Sequence, residues 1–122
     1  VAVNVGNPHI VFFGESIGET NLDEIGPSIE NHKFFPKKTN VELVEVINSS
    51  SLKMRVWERG VGTTLACGSG ACASVYAAWK KNLTDNRVEV ILEKGSLFIN
   101  IDNNKAIMTG PTEISYYGNL EI

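Results

Sequence analysis

The 122-residue sequence predicts an α+β fold in which a mainly antiparallel, curved sheet wraps around one central helix. Three observations carry that prediction. Short alternating apolar runs bounded by Gly, Asn and Pro recur along the chain, as half-buried strands do. One stretch, Ala71 to Trp79, is apolar all the way round for more than two turns, and a helix without a polar face is buried on every side. Its side chains are mostly small, so neighbouring backbones can approach it closely, and strands wrapped around it as an axis are the economical solution.

The elements follow in order. Val1 to Val5 and His9 to Phe13 read as strands separated by the breaker cluster Gly6-Asn7-Pro8. Thr20 or Asn21 can cap a helix carrying Leu22, Ile25 and Ile29 at three- to four-residue spacing, although Gly26-Pro27 interrupts it and proline removes a backbone donor. Val41 to Ile47 and Leu52 to Val56 form a hairpin across Asn48–Ser51. Residues 58–66 read as a glycine-bearing loop, and Ser69 to Asn82 as the central helix. Four further strands are expected at Val88 to Leu92, Leu97 to Ile101, Ala106 to Met108 and Ile114 to Tyr117, with turns at Lys94-Gly95 and Asn103-Asn104.

With 43% hydrophobic and 20% charged residues, the chain has the composition of one small globular domain. Eleven Lys+Arg against fourteen Asp+Glu give a formal charge of −3 without a basic block, which argues against a nucleic-acid or acidic-membrane partner. A small molecule or another protein fits better. The longest apolar stretches fall short of the roughly 20 residues that span a bilayer. Two cysteines, Cys67 and Cys72, five apart, suit neither a structural disulfide nor a metal quartet, so reduced thiols, a cytoplasmic setting and no metal are expected. Because Val1 already lies in a strand-like run, the sequence is expected to be part of a longer protein.

The most informative segment runs from Trp57 to Cys72. Cys67 precedes the apolar helix, where the amides of Gly68, Ser69 and Gly70 form an anion site and the positive helix end should lower a thiol pKa. Cys72, inside the helix, reads as a small buried hydrophobe. Gly6-Asn7-Pro8-His9 can be a tight turn with a partly exposed histidine, Glu58-Arg59 a solvated pair at a strand end, and Asn40 a loop residue.

Taken together, these segments resemble a known family. Gly6-Asn7-Pro8-His9, Gly26-Pro27, Ile29-Glu30, His32, Phe35-Pro36, Asn40-Val41, Arg55-Val56-Trp57-Glu58-Arg59-Gly60, Ala66-Cys67-Gly68-Ser69-Gly70-Ala71-Cys72-Ala73 and Met108-Thr109-Gly110-Pro111 are similar, in order and spacing, to the C-terminal half of the diaminopimelate epimerases. Ser69 stands where the family commonly has Thr, which supplies the same hydroxyl and amide; Val61 and Thr63 are a second departure within the loop.

The resemblance implies that residues 1–122 form the C-terminal lobe of a two-lobed, pseudo-symmetric enzyme that inverts the α-carbon of L,L-diaminopimelate to the meso form, on the bacterial route to lysine and peptidoglycan. It implies no cofactor: neither pyridoxal phosphate nor metal. Each lobe supplies one cysteine, and Cys67 matches the C-terminal one. Inverting a stereocentre needs a base on one face and an acid on the other, which a thiolate facing a thiol provides. By the same resemblance, Glu58 contacts the substrate ammonium and assists Cys67, His9 lies near the other cysteine, and Gly68 and Ser69 hold the α-carboxylate against preorganised amides. Asn7, Asn40 and Arg59 would bind the distal end, where a guanidinium can grip a carboxylate. The missing lobe is the expected partner, a homodimer is a further expectation, and one lobe alone should be inactive. Three other readings stay open: a related cofactor-independent racemase such as a proline racemase relative, nucleophilic catalysis by Cys67 with His9 or His32 as base, and an anion-binding domain without catalysis.

Overall fold

The computed structural model describes residues 1–65, 67–110 and 117–121, the last of these through their backbone. Strands β1 (Ala2–Asn4) and β2 (Pro8–Phe13) are followed by a 3-10 turn (Ile17–Glu19), helix α1 (Leu22–Glu30), strands β3 (Asn40–Asn48), β4 (Ser51–Glu58) and β5 (Gly62–Thr64), helix α2 (Gly68–Lys80), and strands β6 (Arg87–Leu92), β7 (Gly95–Asp102), β8 (Lys105–Thr109) and β9 (Tyr117–Glu121).

Among the described residues all nine strands belong to one sheet, ordered β1-β2-β3-β4-β6-β7-β8-β9, with β5 paired to β4 beside that path. Six pairings are antiparallel and two, β2–β3 and β4–β6, are parallel. Each parallel join is bridged by one helix, because parallel neighbours need a crossover where antiparallel ones need only a turn. Asn103 and Asn104, at φ 49° and 60°, make the tight turn between β7 and β8 with both central residues left-handed.

Helix α2 meets β1, β2, β3, β4, β6, β7 and β8, so the sheet curls around it as the sequence predicts. Its Ala71, Cys72, Ala73, Val75, Ala77 and Ala78 are fully buried against inward-facing Val11, Val44, Leu52, Met54, Val56, Val88, Val90, Ile99 and Ile101. Methyl-sized side chains at the axis let seven strands come close. Helix α1 packs on the other face of the sheet, where Leu22 and Ile25 meet Leu43 and Trp57. Alternation along β3 explains this division, since Leu43 points to α1 and Val44 to α2.

Pro27 lies inside α1, and Gly26 beside it is dictated by packing: a Cβ there would fall 2.3 Å from Cδ2 of Trp57. Three boundaries differ from the sequence expectation. The 58–66 loop contains the short strand β5, whose only sequence trace is three residues without apolar alternation. Helix α2 begins at Gly68 and ends at Lys80, because Asn82 is left-handed at φ 59°. The last strand covers Tyr117–Glu121, beyond the expected end at Tyr117; residues 114–116 of that expectation, with Ala66 and Pro111, lie outside the described residues.

Candidate active site

The N-terminus of α2 meets the inner face of the sheet at the ends of β2, β3 and β4. Alternation puts His9 and Val11 of β2, Glu42 and Val44 of β3, and Val56 and Glu58 of β4 on that face. Three titratable side chains therefore converge on the helix start from three adjacent strands.

Cys67 is the N-cap of α2, in an extended conformation, and its Sγ accepts the N–H of Gly70 at 3.3 Å. Capping is ordinarily done by an oxygen side chain, and here a sulfur holds that position. The N–H groups of Gly68 and Ser69 precede any carbonyl that the helix could offer them. Ser69 Oγ lies 3.5 Å from Cys67 Sγ and accepts from Asn7 Nδ2 at 3.4 Å. Asn7 Oδ1 in turn accepts from His9 Nε2 at 3.1 Å, and His9 Nδ1 sits 2.6 Å from Glu42 Oε1. Cys67, Ser69, Asn7, His9 and Glu42 thus form one connected chain.

Gly70 makes this approach feasible. A Cβ at that position would stand 2.8 Å from Glu42 Oε1 and 3.2 Å from Cys67 Sγ, so a side chain there would drive the carboxyl and the thiol apart.

Electrostatics at the thiol differ from the sequence expectation. Burial pushes the Cys67 pKa up, while the Ser69 hydroxyl and the Gly70 amide pull it down and the charges of Glu58 and Glu42 push it up again. Desolvation outweighs the two hydrogen bonds, so the Cys67 pKa is raised, not lowered as expected from a helix end alone. Cys72 is wholly buried, and its pKa is pushed up to about 12 by desolvation and by its proximity to Cys67.

The remaining candidates divide. His9 is buried, not partly exposed, because it lies on the inner face of β2. Glu58 is half-buried at the end of β4, near enough for its charge to raise both Cys67 and Glu42. Asn40 is not a loop residue but the first residue of β3. It is buried, gives Nδ2 to the Pro8 carbonyl at 3.0 Å, and accepts the Arg59 amide at 2.7 Å through Oδ1. Arg59 itself is exposed, and its Nη1 donates to the Lys37 carbonyl at 3.2 Å. Arg59 and Asn7 line one open groove with Pro8, Phe34, Pro36 and Lys37, whereas Asn40 stands behind it and holds both walls.

His32 is exposed, stacked near Phe34 with ring centroids 4.8 Å apart, and accepts the Phe34 amide at its Nδ1. Among the described residues the hydrogen-bond partners of Cys67 are Ser69 and Gly70, not either histidine. Two residues here have no role in the sequence expectation. Glu42 had a signal, since it shares a strand face with Val44 and Val46 where an apolar residue belongs. Glu30, buried at the end of α1, accepts Trp57 Nε1 at 2.8 Å and Gly60 N at 3.5 Å, and lies 3.6 Å from Lys38 Nζ. It ties together the loops on either side of Arg59.

Among the described residues no helix is long and apolar enough to cross a membrane. A family model for diaminopimelate epimerase matches residues 1–115. Among curated relatives, the diaminopimelate epimerase of Carboxydothermus hydrogenoformans is 49% identical over 96% of this chain and 43% of its own length. That of Pelagibacter ubique is 50% identical over 91% of this chain and 41% of its own. The chloroplastic diaminopimelate epimerase of Oryza sativa subsp. japonica is 48% identical over 95% of this chain and 35% of its own. The chain therefore spans less than half the length of these relatives. A crystal structure of a phenazine biosynthesis protein of the PhzF family from Bacillus anthracis superposes with a TM-score of 0.62 at 20% identity, over 86% of this chain and 35% of that one, a likeness of fold. With residues 1–115 matched by that family model, the chain belongs to the diaminopimelate epimerase family.

Proposed function

We propose that residues 1–122 are the C-terminal lobe of a two-lobed, cofactor-independent epimerase that interconverts L,L- and meso-diaminopimelate, and that they furnish one of its two acid/base groups. The observation that carries the reading is the placement of Cys67 as N-cap of α2, beside the amides of Gly68 and Ser69 and within reach of the charge of Glu58. In this reading the other lobe supplies a second cysteine. That group removes the α-proton, and the electron pair of the broken C–H bond moves into the α-carboxylate, which is held by the Gly68 and Ser69 amides. Cys67 delivers the S–H proton to the opposite face and is left as thiolate, so one proton leaves carbon and one arrives. In the reverse direction the two sulfurs exchange roles.

A thiol whose ionisation is opposed by burial suits the proton-delivering side. Glu58 receives the substrate ammonium, and once that positive charge is in place the nearby carboxylate no longer opposes the Cys67 thiolate. Asn7 and Arg59 line the groove that receives the distal end of the substrate, with Asn40 holding Arg59 and Pro8 in position. His9 acts from behind Asn7.

The test follows α-deuterium incorporation and meso product from L,L-diaminopimelate in D2O. The chain is assayed alone, then mixed with the part of the Carboxydothermus hydrogenoformans relative that it does not match. Exchange is expected in the mixture only, and Cys67→Ala is expected to lower it by about 10²–10⁴-fold, the worth of one positioned proton-transfer group. Activity of the chain alone at the level of the mixture would remove the second lobe from the mechanism. Near-parent activity of Cys67→Ala would remove Cys67.

A further inference from the structure

Glu42 is the one wholly buried carboxyl of the site, and the proton transfer above makes no use of it. Its side chain and that of His9 have no exposure, and their Oε1 and Nδ1 are 2.6 Å apart. Oε2 is also buried and has no hydrogen-bond partner. Around the carboxyl stand His9 from β2, Glu58 from β4 and Cys67 at the start of α2, so a second carboxylate and a thiol are its titratable company besides the imidazole.

The hydrogen bonds of the neighbours restrict where the protons sit. Asn7 Oδ1 has no hydrogen to offer, so at 3.1 Å the His9 Nε2 must be the donor. One proton is then left for the 2.6 Å contact between Nδ1 and Oε1. If it sat on the imidazole, Glu42 would be a full anion with one oxygen unpaired in a dry core, beside the charge of Glu58. If it sits on the carboxyl, the unpaired oxygen is a neutral carbonyl, a much cheaper orphan.

We infer that Glu42 is held as a neutral carboxylic acid that donates to His9 Nδ1, making it a positioning residue that fixes His9 as the Nε2–H tautomer and orients the Asn7–Ser69 chain toward Cys67. With Nε2–H given to Asn7 Oδ1, the Asn7 amide nitrogen faces Ser69 and donates to Oγ. The Ser69 hydroxyl, having accepted there, turns its own hydrogen to Cys67 Sγ. A proton on a carboxyl in the core thus determines that the active thiol has a hydroxyl donor. Burial, which raises the Glu42 pKa, acts in the same direction, against the opposing pull of His9. The relevance to catalysis rests on the epimerase reading, but every readout below is independent of diaminopimelate, so either reading can fail without the other.

The experiment uses the 122-residue chain at neutral pH. Infrared difference spectra of parent minus Glu42→Gln are expected to show the C=O stretch of a protonated carboxylic acid, and its absence would overturn the inference. Nitrogen-15 spectra of His9 are expected to show a protonated Nε2 and a bare, hydrogen-bonded Nδ1. Two protonated nitrogens, or a bare Nε2, would overturn it, and this measurement needs no substitution, so it stands even where Glu42→Gln fails to fold. Glu42→Gln, whose amide N–H replaces the acid O–H, is expected to keep the His9 tautomer and to leave Cys67 alkylation within about twofold of the parent, whereas Ser69→Ala should slow alkylation about threefold to tenfold as the hydroxyl donor is lost. A changed tautomer in Glu42→Gln, or an unchanged rate in Ser69→Ala, would break the chain at that link.

Discussion

Gly26→Ala separates helix propensity from tertiary packing more sharply than any other substitution in this chain. Gly26 lies in the interior of α1, where alanine is intrinsically better by about 0.5–1 kcal/mol. Propensity alone therefore predicts a more stable protein. The structure predicts the opposite, because the new Cβ would lie 2.3, 2.6 and 2.7 Å from Cδ2, Cγ and Cε3 of Trp57. These atoms are at the root of the indole, which cannot swing aside as a long chain end would. The ring is also pinned at its far side by the 2.8 Å bond from Nε1 to Glu30. Overpacking of this kind costs about 1–3 kcal/mol, and displacement of the indole weakens a bond to a buried carboxylate worth about 1.5–3 kcal/mol. Against the propensity gain, a net loss of about 2 kcal/mol is expected. An unfolding entropy of about 2.1 cal/mol/K per residue gives about 0.26 kcal/mol/K over 122 residues, so the midpoint should fall by about 8 °C. Urea titration and thermal melts read the stability, and near-ultraviolet circular dichroism reads the Trp57 environment. An unchanged or raised midpoint with an unaltered aromatic signal would refute the packing argument.

Three further outcomes are expected. Peptide-resolved alkylation with iodoacetamide should label Cys67 and spare Cys72 in the native state, with the Cys67 rate still climbing above the ordinary thiol range because burial raises its pKa; equal labelling of both would show that Cys72 is not enclosed. The Trp57 indole N–H, the largest influence on Glu30, holds that carboxyl below its ordinary value, so its contribution is present above the ordinary value and is lost as the pH falls through the depressed one. Trp57→Phe should flatten that acid limb of the stability curve, and an unaltered limb would assign it elsewhere. Arg55 Nη1 donates to the carbonyls of Ile17 and Thr20 at 2.8 and 2.6 Å, so Arg55→Met should cost about 1–2 kcal/mol and speed amide exchange at Glu19 and Thr20 before the sheet is affected; uniform acceleration across the molecule would contradict a local clamp.

The parts of this molecule that could be read in advance are those where one residue type has one physical reason to be there. The run from Ala71 to Trp79, mostly small and interrupted only by Ser74 among apolar residues, required enclosure, and seven strands enclose it. Cys67, followed by Gly68 and Gly70 just before that run, could be placed at a helix start from spacing alone. Gly26-Pro27 reads as an interruption in the sequence, yet α1 runs through it from Leu22 to Glu30, and its role as a seat for Trp57 was not legible, because the clash that demands glycine comes from a residue 31 positions later. His9 looked exposed beside Asn-Pro, yet strand alternation carried it inward onto Glu42. The two parallel joins were not readable either. Periodicity shows that a segment is a strand and which face is apolar, but neighbour choice depends on how each crossover helix docks. The thiol was misjudged for a related reason: the effect of a helix end can be inferred from position, whereas desolvation depends on everything that surrounds the sulfur.

The two parallel joins also order events in time. The β3–β4 hairpin and the β6–β7–β8 meander close through short turns, whereas pairing His9 with Asn40 and Ser51 with Glu89 closes long loops, each of which must first order a helix. Contacts at such sequence separation slow folding and form late. The His9–Glu42 contact depends on the first of these joins, and it faces the start of the helix that bridges the second. The reactive corner should therefore be completed only when both crossovers have docked, so substitutions at Glu42 or Gly70 should accelerate unfolding while leaving the folding rate nearly unchanged, with φ-values near zero against intermediate values in the β6–β7 turn.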